Sequence, residues 1–230
     1  MYWQEDTTEQ EFRVPDDFAD ILFAIDCKQL PVDHAHALSR ALERTLPWLA
    51  EDERIAVHTV HAAGSQNGWE RPEHGTDQPL ILSRRTKLTI RAPKERLALL
   101  QAQLTGRTLD VAGHPLTVGN GKIRPLSNQT TVFARYVAGP EGASEEQFLE
   151  WAAAQLETLG IKIRKALCGK STPLATAGQP VHTRSLLLAD LTPEQSVRLQ
   201  QIGLGPHRKM GCGIFIPHKG IDAVKKSTGD

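Results

Sequence analysis

TRSLLLADLTPEQSVRLQQIGLGPHRKMGCGIFIP, residues 183–217, contains a strand, a helix, a loop and a second strand with their boundaries marked by residue type. Residues 183–191 form a short apolar run of the kind a buried strand needs. Thr192 offers a side-chain oxygen to the free N–H groups of a first helical turn. Pro193 suits the first helical position because its missing N–H would have no partner there. A helix therefore opens after Thr192 and runs to the glycines, and GCGIFIP (211–217) closes as a strand. Between them lies GLGPHRKMGCG, two Gly-x-Gly units around a tip where His207, Arg208 and Lys209 can carry positive charge. Glycine permits positive φ and close approach to backbone N–H groups. Gly203, Gly205, Gly211 and Gly213 are therefore read as a cradle for a polyanion, with a phosphate backbone as the fitting ligand.

The same order of elements extends outward from that stretch. TTVFARYVA (130–138) reads as a strand, SEEQFLEWAAAQLETLG (144–160) as a helix, IKIRKALC (161–168) as a strand and GKSTPLATAGQPVH (169–182) as a loop. In that helix Ser144 with Gln147 forms a capping box, and Gly160 stands at the C-terminal cap. The N-terminal half repeats the pattern. FADILFAIDC (18–27) is a strand, VDHAHALSRALERTLPWL (32–49) a helix, ERIAVHTVHAA (53–63) a strand and GSQNGWERPEHGTDQP (64–79) a loop. LILSRRTKLTIR (80–91) is a strand, APKERLALLQAQL (92–104) a helix, and a last strand lies near TLDVAGHPLTVG (108–119). βαββαβ thus appears twice, at a spacing of about 113 residues. Each copy is the split βαβ pattern of a ferredoxin-like, RRM-like fold, so the chain is read as α+β with two tandem domains. Their expected limits are an acidic segment 1–17, an N-terminal domain 18–126 and a C-terminal domain 127–230 carrying the Gly-rich loop.

A chain of 230 residues with 40% hydrophobic side chains has room for two such cores. Its formal net charge of zero hides an asymmetry: residues 1–80 hold 6 Lys and Arg against 16 Asp and Glu, and residues 81–230 hold 21 against 11. The second part should attract polyanions. The acidic N-terminus MYWQEDTTEQEF has no apolar core, so neither a signal peptide nor a membrane partner is expected, and the expected location is cytoplasmic. Cys27, Cys168 and Cys212 are too far apart in sequence for a metal pair and leave one unmatched in any disulfide scheme. Strand 80–91 carries no aromatic residue for stacking bases. It places Arg85, Lys87 and Arg91 on one face and Leu82, Leu88 and Ile90 on the other, a face suited to phosphates.

These motifs together resemble a known family. GLGPHRKMGCG matches the G-h-G-x5-G-h-G loop of the RAMP superfamily of CRISPR-associated proteins, and it follows the last helix of a C-terminal repeat as in that superfamily. LPVDHAHALSRAL, LSRRTKLTIR, TGRTLDVAG, LADLTPEQSVRLQQ and GCGIFIPHKG resemble its repeat-processing endoribonuclease, in a type I-associated subgroup, over about residues 18–224. The resemblance implies a cut in precursor CRISPR RNA within each repeat, usually just below a stem-loop, with no metal or other cofactor. The upstream 2′-hydroxyl attacks the adjacent phosphate, leaving a 2′,3′-cyclic phosphate and a 5′-hydroxyl. Implied partners are the repeat stem-loop and the mature guide RNA, with other subunits of a CRISPR effector complex as further candidates. A catalytically silent RNA-binding subunit of such a complex is the alternative reading.

That chemistry calls for a base at the 2′-hydroxyl, an acid at the leaving oxygen and cations around the phosphate. The family's acting histidines lie on or near the first helix, which here carries His34 and His36. Ala35, Leu38, Leu42 and Leu46 mark the buried face; His34 borders it, next to Asp33 as cap, while His36 points with Arg40 and Glu43 toward solvent. His34 matches the family's DH-x-x-A-L stretch and is the first choice for base. His36 stands where similar sequences often have tyrosine, and either shares the chemistry or is incidental. A metal role for Asp33, His34 and His36 lacks a further ligand cluster. The expected RNA contacts are Arg84, Arg85, Lys87, Arg91, Lys122, Arg124, Arg164, Lys165, His207, Arg208 and Lys209, with the four loop glycines. Trp69 either stacks on a base or anchors its loop, and the loops 64–79 and 169–182 are positioned to clamp a stem.

Overall fold

A computed structural model describes residues 12–61 and 79–219. The first strand, β1 (Phe18–Asp26), alternates as its sequence demands: Ile21 and Phe23 are fully buried on one face, while Asp20, Leu22 and Ala24 point to the other. Then come β2 (Gln29–Pro31), α1 (Ala35–Thr45), a single turn α2 (Trp48–Glu51), β3 (Ala56–Val57), β4 (Pro79–Ile81), β5 (Lys87–Pro93), α3 (Lys94–Leu104), β6 (Thr108–Val111) and β7 (His114–Pro125). The strands form an antiparallel sheet in the order β3-β5-β1-β7-β6. Leu38 and Leu42 from α1 and Leu97, Leu100 and Leu104 from α3 join Ile21, Phe23, Leu88 and Ile90 in one core. This is the ferredoxin-like arrangement with both helices on one face.

The C-terminal unit repeats it: β8 (Val132–Ala138), α4 (Glu145–Thr158), β9 (Lys165–Leu174), β10 (Val181–Ala189), α5 (Pro193–Ile202), a 3-10 turn at Arg208–Met210 and β11 (Ile216–Pro217), with strand order β11-β8-β10-β9. Both expected helix starts are capped. Ser144 exchanges bonds with Gln147, and Thr192 with Gln195, reciprocal boxes worth about 1 kcal/mol each. Gly160, at φ +71°, takes the left-handed position that ends α4.

Several boundaries differ from the sequence expectation, each for a local reason. The run 80–91 is not one strand: Ser83 and Thr86 bond each other's backbone and side chain, making a turn, and β4 pairs with β2 instead of joining the main sheet. The segment 108–119 is a hairpin whose corner, Ala112–Gly113, has positive φ at both residues. Residues 169–182 are mostly strand, because β9 and β10 extend toward each other and leave only 175–180 as loop. Among the described residues, the strand expected over 53–63 pairs at Ala56 and Val57, with His58 N–H donating to Thr89 O at 3.0 Å, and that over 211–217 pairs at Ile216 and Pro217. Residues 64–78, with Trp69 and His74, lie outside the described residues.

The two units meet in a third cluster: Ala35 of α1 packs with Tyr136, Ala138 and Leu174 of the second sheet and with Met210 and Cys212 of the Gly-rich loop. Burial pushes the Cys212 thiol up to about 12, so it packs as an apolar group. Among the described residues no helix is long and apolar enough to cross a membrane.

Candidate nucleic-acid interface

The Gly-rich loop leaves α5 through Gly203 and closes on itself and on its neighbours. Leu204 N–H donates to Gly213 O at 3.1 Å, Gly213 N–H to Tyr136 O at 2.7 Å and Cys212 N–H to His207 O at 3.2 Å. Its glycines answer to these contacts. A Cβ on Gly213 would lie 2.1 Å from Leu204 O, and one on Gly211, at φ +86°, would lie 2.7 Å from Thr59 Cγ2 of the N-terminal unit. Gly203 and Gly205 likewise face the carbonyls of Gly213 and Ala138. All four glycines therefore allow close packing of the loop backbone on protein, and the exposed Gly205 also lines a groove beside the first helix. The exposed part is the tip. His207 adopts the left-handed conformation (φ 64°, ψ 34°), a strained state for a non-glycine residue that costs of order 1 kcal/mol.

The tip's three cations are not equivalent. Arg208 turns inward and donates from Nη2 to Gln201 O at 2.9 Å, capping the end of α5. Burial, with the nearby Arg91 charge, lowers its pKa to about 10. It is half-buried and lines the groove beside the first helix while holding the end of α5. Lys209 reaches Ala50 O at 3.1 Å in an exposed bond, and His207 is exposed.

The first helix reverses the expected order of its histidines. His34 is 3% exposed, and both ring nitrogens are committed: Nδ1–H donates to Pro31 O at 2.9 Å and Nε2 accepts from the buried Val60 N–H at 2.9 Å. An imidazole so engaged has no nitrogen left for a 2′-hydroxyl. Asp33 does not cap α1, since His34 holds that position; its Oδ2 accepts from Ala175 N–H at 2.7 Å across the domain boundary. His36, expected to face open solvent away from the cleft, instead lines a groove of about 510 Å³ between α1 and the Gly-rich loop. His36 and Arg40 stand on one wall, with His207 and Lys209 on the other. Glu43 pairs with Arg40 at 2.7 Å beside them. Two half-buried or exposed imidazoles and three cations, Arg40, Arg208 and Lys209, thus share one groove with the carboxylates of Glu43 and Glu53, and helical spacing alone did not reveal it because the second wall is about 170 residues away in sequence.

The remaining expected contacts divide. Arg84 and Arg85 are exposed in the 83–86 turn. Lys87, Lys122 and Arg124 project from the sheet face opposite the N-terminal helices, and Arg124 Nη2 bonds Asp20 Oδ2 at 3.1 Å. Arg164 and Lys165 are exposed at the start of the edge strand β9, where Lys165 pairs with Asp190 at 3.0 Å. Arg91 is 1% exposed and bonded to Asp20 at 2.7 Å, out of reach of any polyanion, which removes it from the expected stripe. Burial pushes the Asp20 carboxyl up, but the Arg91 charge and hydrogen bonds, with the His58 ring 3.7 Å away, outweigh it and hold the group well below the usual carboxylate range.

A second cavity, about 250 Å³, opens on the other side of Gly211. His58, His61, Arg135 and His218 line it. The sequence carries no signal for this grouping, since the four come from three separate segments. Burial lowers the His58 pKa despite the Asp20 carboxylate 3.7 Å away. Among the described residues no group of three or more His, Cys, Asp or Glu side chains is arranged to hold a metal ion.

Two βαββαβ units, fastened through a Gly-rich loop that presses a basic tip against the first helix, define a tandem ferredoxin-like protein with a cationic inter-domain groove. Residues 19–220 match the family model described as Cas6 Crispr. A CRISPR-associated endonuclease Cas6 of Myxococcus xanthus (strain DK1622) is 32% identical over 200 residues, 87% of this chain and 81% of that protein. The chain belongs to the Cas6 family. Among solved structures, a CRISPR associated protein Cas6 aligns with TM-score 0.61 over 88% of this chain and 100% of its own, at 12% identity. The structure titled "An RAMP protein binding different RNA substrates" aligns with TM-score 0.55 over 88% and 98%, also at 12% identity. At that identity the likeness concerns the fold.

Proposed function

We propose that the protein is an endoribonuclease that binds the repeat stem-loop of precursor CRISPR RNA and cuts within the repeat by internal attack, without a metal. Family membership and the endonuclease name of the Myxococcus relative support the class of activity. The observation that carries the mechanism is the groove that brings His36 together with His207, Lys209 and Arg40. In the reaction the 2′-oxygen bonds to phosphorus as the bond to the 5′-oxygen breaks. One proton leaves the 2′-hydroxyl and another reaches the departing oxygen. Imidazole is the side chain suited to both transfers near neutral pH, and two facing imidazoles divide the roles. Lys209 and Arg40 offset the charge that builds on the phosphoryl oxygens. His34 takes no proton in this reading; it fixes the entry to α1 and so the direction of His36. Arg84, Arg85, Lys87, Lys122 and Arg124 supply the exposed charge for phosphate contacts, which suits A-form RNA, whose base edges are hidden in a deep groove.

The test is cleavage of the cognate repeat RNA in chelator. His36→Ala and His207→Ala should each slow the single-turnover rate by about 10²-fold or more with binding retained, since acid–base catalysis contributes about 10² to 10⁴. RNA with a 2′-deoxy nucleotide at the cut site should bind and stay whole. Normal cutting of that substrate, or loss of activity in chelator, refutes internal attack without a metal. Tight binding with no cleavage by the wild type supports the silent RNA-binding subunit instead.

A further inference from the structure

The Gly-rich loop belongs to the C-terminal unit, yet its two stems are fastened to one residue of the N-terminal unit. Arg91, on β5, directs Nη1 at the carbonyls of Gln200 (2.9 Å) and Phe215 (2.8 Å). Gln200 lies in the last turn of α5, just before the loop, and Phe215 follows it. The other edge of the guanidinium is held by the Asp20 carboxylate, through Nε at 2.7 Å and Nη2 at 3.2 Å. Arg91 and Asp20 are 1% and 2% exposed, so water does not compete for these bonds. The Gln200 carbonyl is among those a helix end leaves without a partner inside the helix, a place where a cation is favoured. Only a planar, forked cation meets a carboxylate on one edge and two carbonyls on the other, so lysine is not a substitute.

We propose that Asp20 and Arg91 are a positioning pair that sets the Gly-rich loop, and with it His207 and Lys209, in register with His36 on α1. The proposal rests on the endoribonuclease reading for its catalytic consequence but not for its structural one. Neither side chain touches RNA. Asp20 sits on β1 and Arg91 on β5, at directly paired positions of the sheet that carries α1 on its opposite face. The N-terminal unit thus dictates where the tip of a loop from the other unit stands. Proton transfer across a groove depends on placement within about 1 Å, which makes the rate sensitive to a stem that is free to shift.

Arg91→Met and Arg91→Lys, with Asp20→Asn as the partner variant, are compared with wild type and with Leu100→Ala, a core change in the N-terminal unit that lowers stability without touching the loop. Amide hydrogen exchange on the free protein is the first readout. Residues 203–213 should exchange about tenfold faster or more in both Arg91 variants, while those residues in Leu100→Ala and the β9–β10 hairpin in all variants keep wild-type rates relative to global stability. Single-turnover cleavage of the cognate repeat RNA at saturation is the second. Both Arg91 variants should lose about tenfold or more in rate with a Kd within about threefold of wild type, and His207→Ala should cost much less in the Arg91→Met background than alone. Should Arg91→Met not fold, Arg91→Lys, which keeps the charge opposite Asp20, carries both readouts. Unchanged exchange in 203–213, or a His207→Ala effect that is the same in both backgrounds, overturns the proposal. If the wild type binds but does not cut, the endoribonuclease reading falls, and the exchange result alone decides whether the pair positions the loop.

Discussion

Replacing His34 with alanine separates a structural imidazole from a chemical one. In the folded protein its Nε2 satisfies the Val60 N–H, a buried donor 26 residues away, and its Nδ1–H satisfies Pro31 O. Alanine leaves the Val60 N–H without a partner, at about 1–3 kcal/mol, and vacates the ring's space in a site 3% exposed, at about 1–2 kcal/mol more. The Pro31 carbonyl is only part-buried and finds water at little cost. The sum, about 2–5 kcal/mol, corresponds in a chain of this size to a fall in Tm of roughly 5–15 °C. Calorimetry measures that fall, and single-turnover cleavage of repeat RNA is then run well below the melting temperature of the variant. The rate should stay within about tenfold of wild type, less than the 10² or more expected for a lost proton-transfer group. A variant with wild-type Tm whose rate falls by about 10² would refute the structural assignment and return His34 to the role its sequence motif suggested.

Other consequences follow from charge and packing. Asp52 is held down to about 2 chiefly by the hydrogen bond from Arg54, with Arg96 adding to it. Both Asp52 and Asp20 therefore contribute stability that is complete above about pH 4 and lost as pH falls toward their folded values. Asp52→Asn should flatten the decline in unfolding free energy between about pH 4 and 2. The His58 pKa is lowered too, but by burial, which favours the neutral form of a base, so its contribution is complete above about pH 6.5 and declines as pH falls below it; His58→Gln should remove that limb from a pH series of denaturant melts. Gly211→Ala forces a Cβ to 2.7 Å from Thr59 Cγ2 at φ +86° and should cost roughly 1–3 kcal/mol, part of which Thr59→Ser restores by removing that methyl; full stability of the single variant would mean the loop is not pressed on the N-terminal unit. Affinity for repeat RNA should fall steeply with salt, by a log–log slope of about 0.7 to 0.9 per phosphate contact, and Lys87→Ala with Lys122→Ala should lower that slope by about one to two; an unchanged slope takes the sheet face out of the interface.

The sequence by itself determined whatever depends on neighbours a few residues apart. Capping at Ser144 and Thr192, the left-handed stop at Gly160, the alternation of β1 and the apolar faces of the helices are all set by periods of 2 or 3.6 and by local backbone chemistry, and their order was enough for a doubled ferredoxin-like fold. The Gly-rich loop was legible as a motif for the same reason. Tertiary structure decided which side chains act. His34 and His36 are two residues apart on one helix, about 200° around its axis, so they must face different surroundings. The helix's own pattern cannot say which side the second unit will cover. The docked Gly-rich loop made the side toward His36 a groove and left His34 to bond Val60 and Pro31. Arg91 shows the same division. Period two placed it correctly beside Lys87, away from the core of its own unit, but Gln200 and Phe215, more than 100 residues later, cover that part of the sheet. Once water was excluded there, the arginine needed a carboxylate and two carbonyls as partners, and a residue that read as a phosphate contact became one of the bonds between the domains.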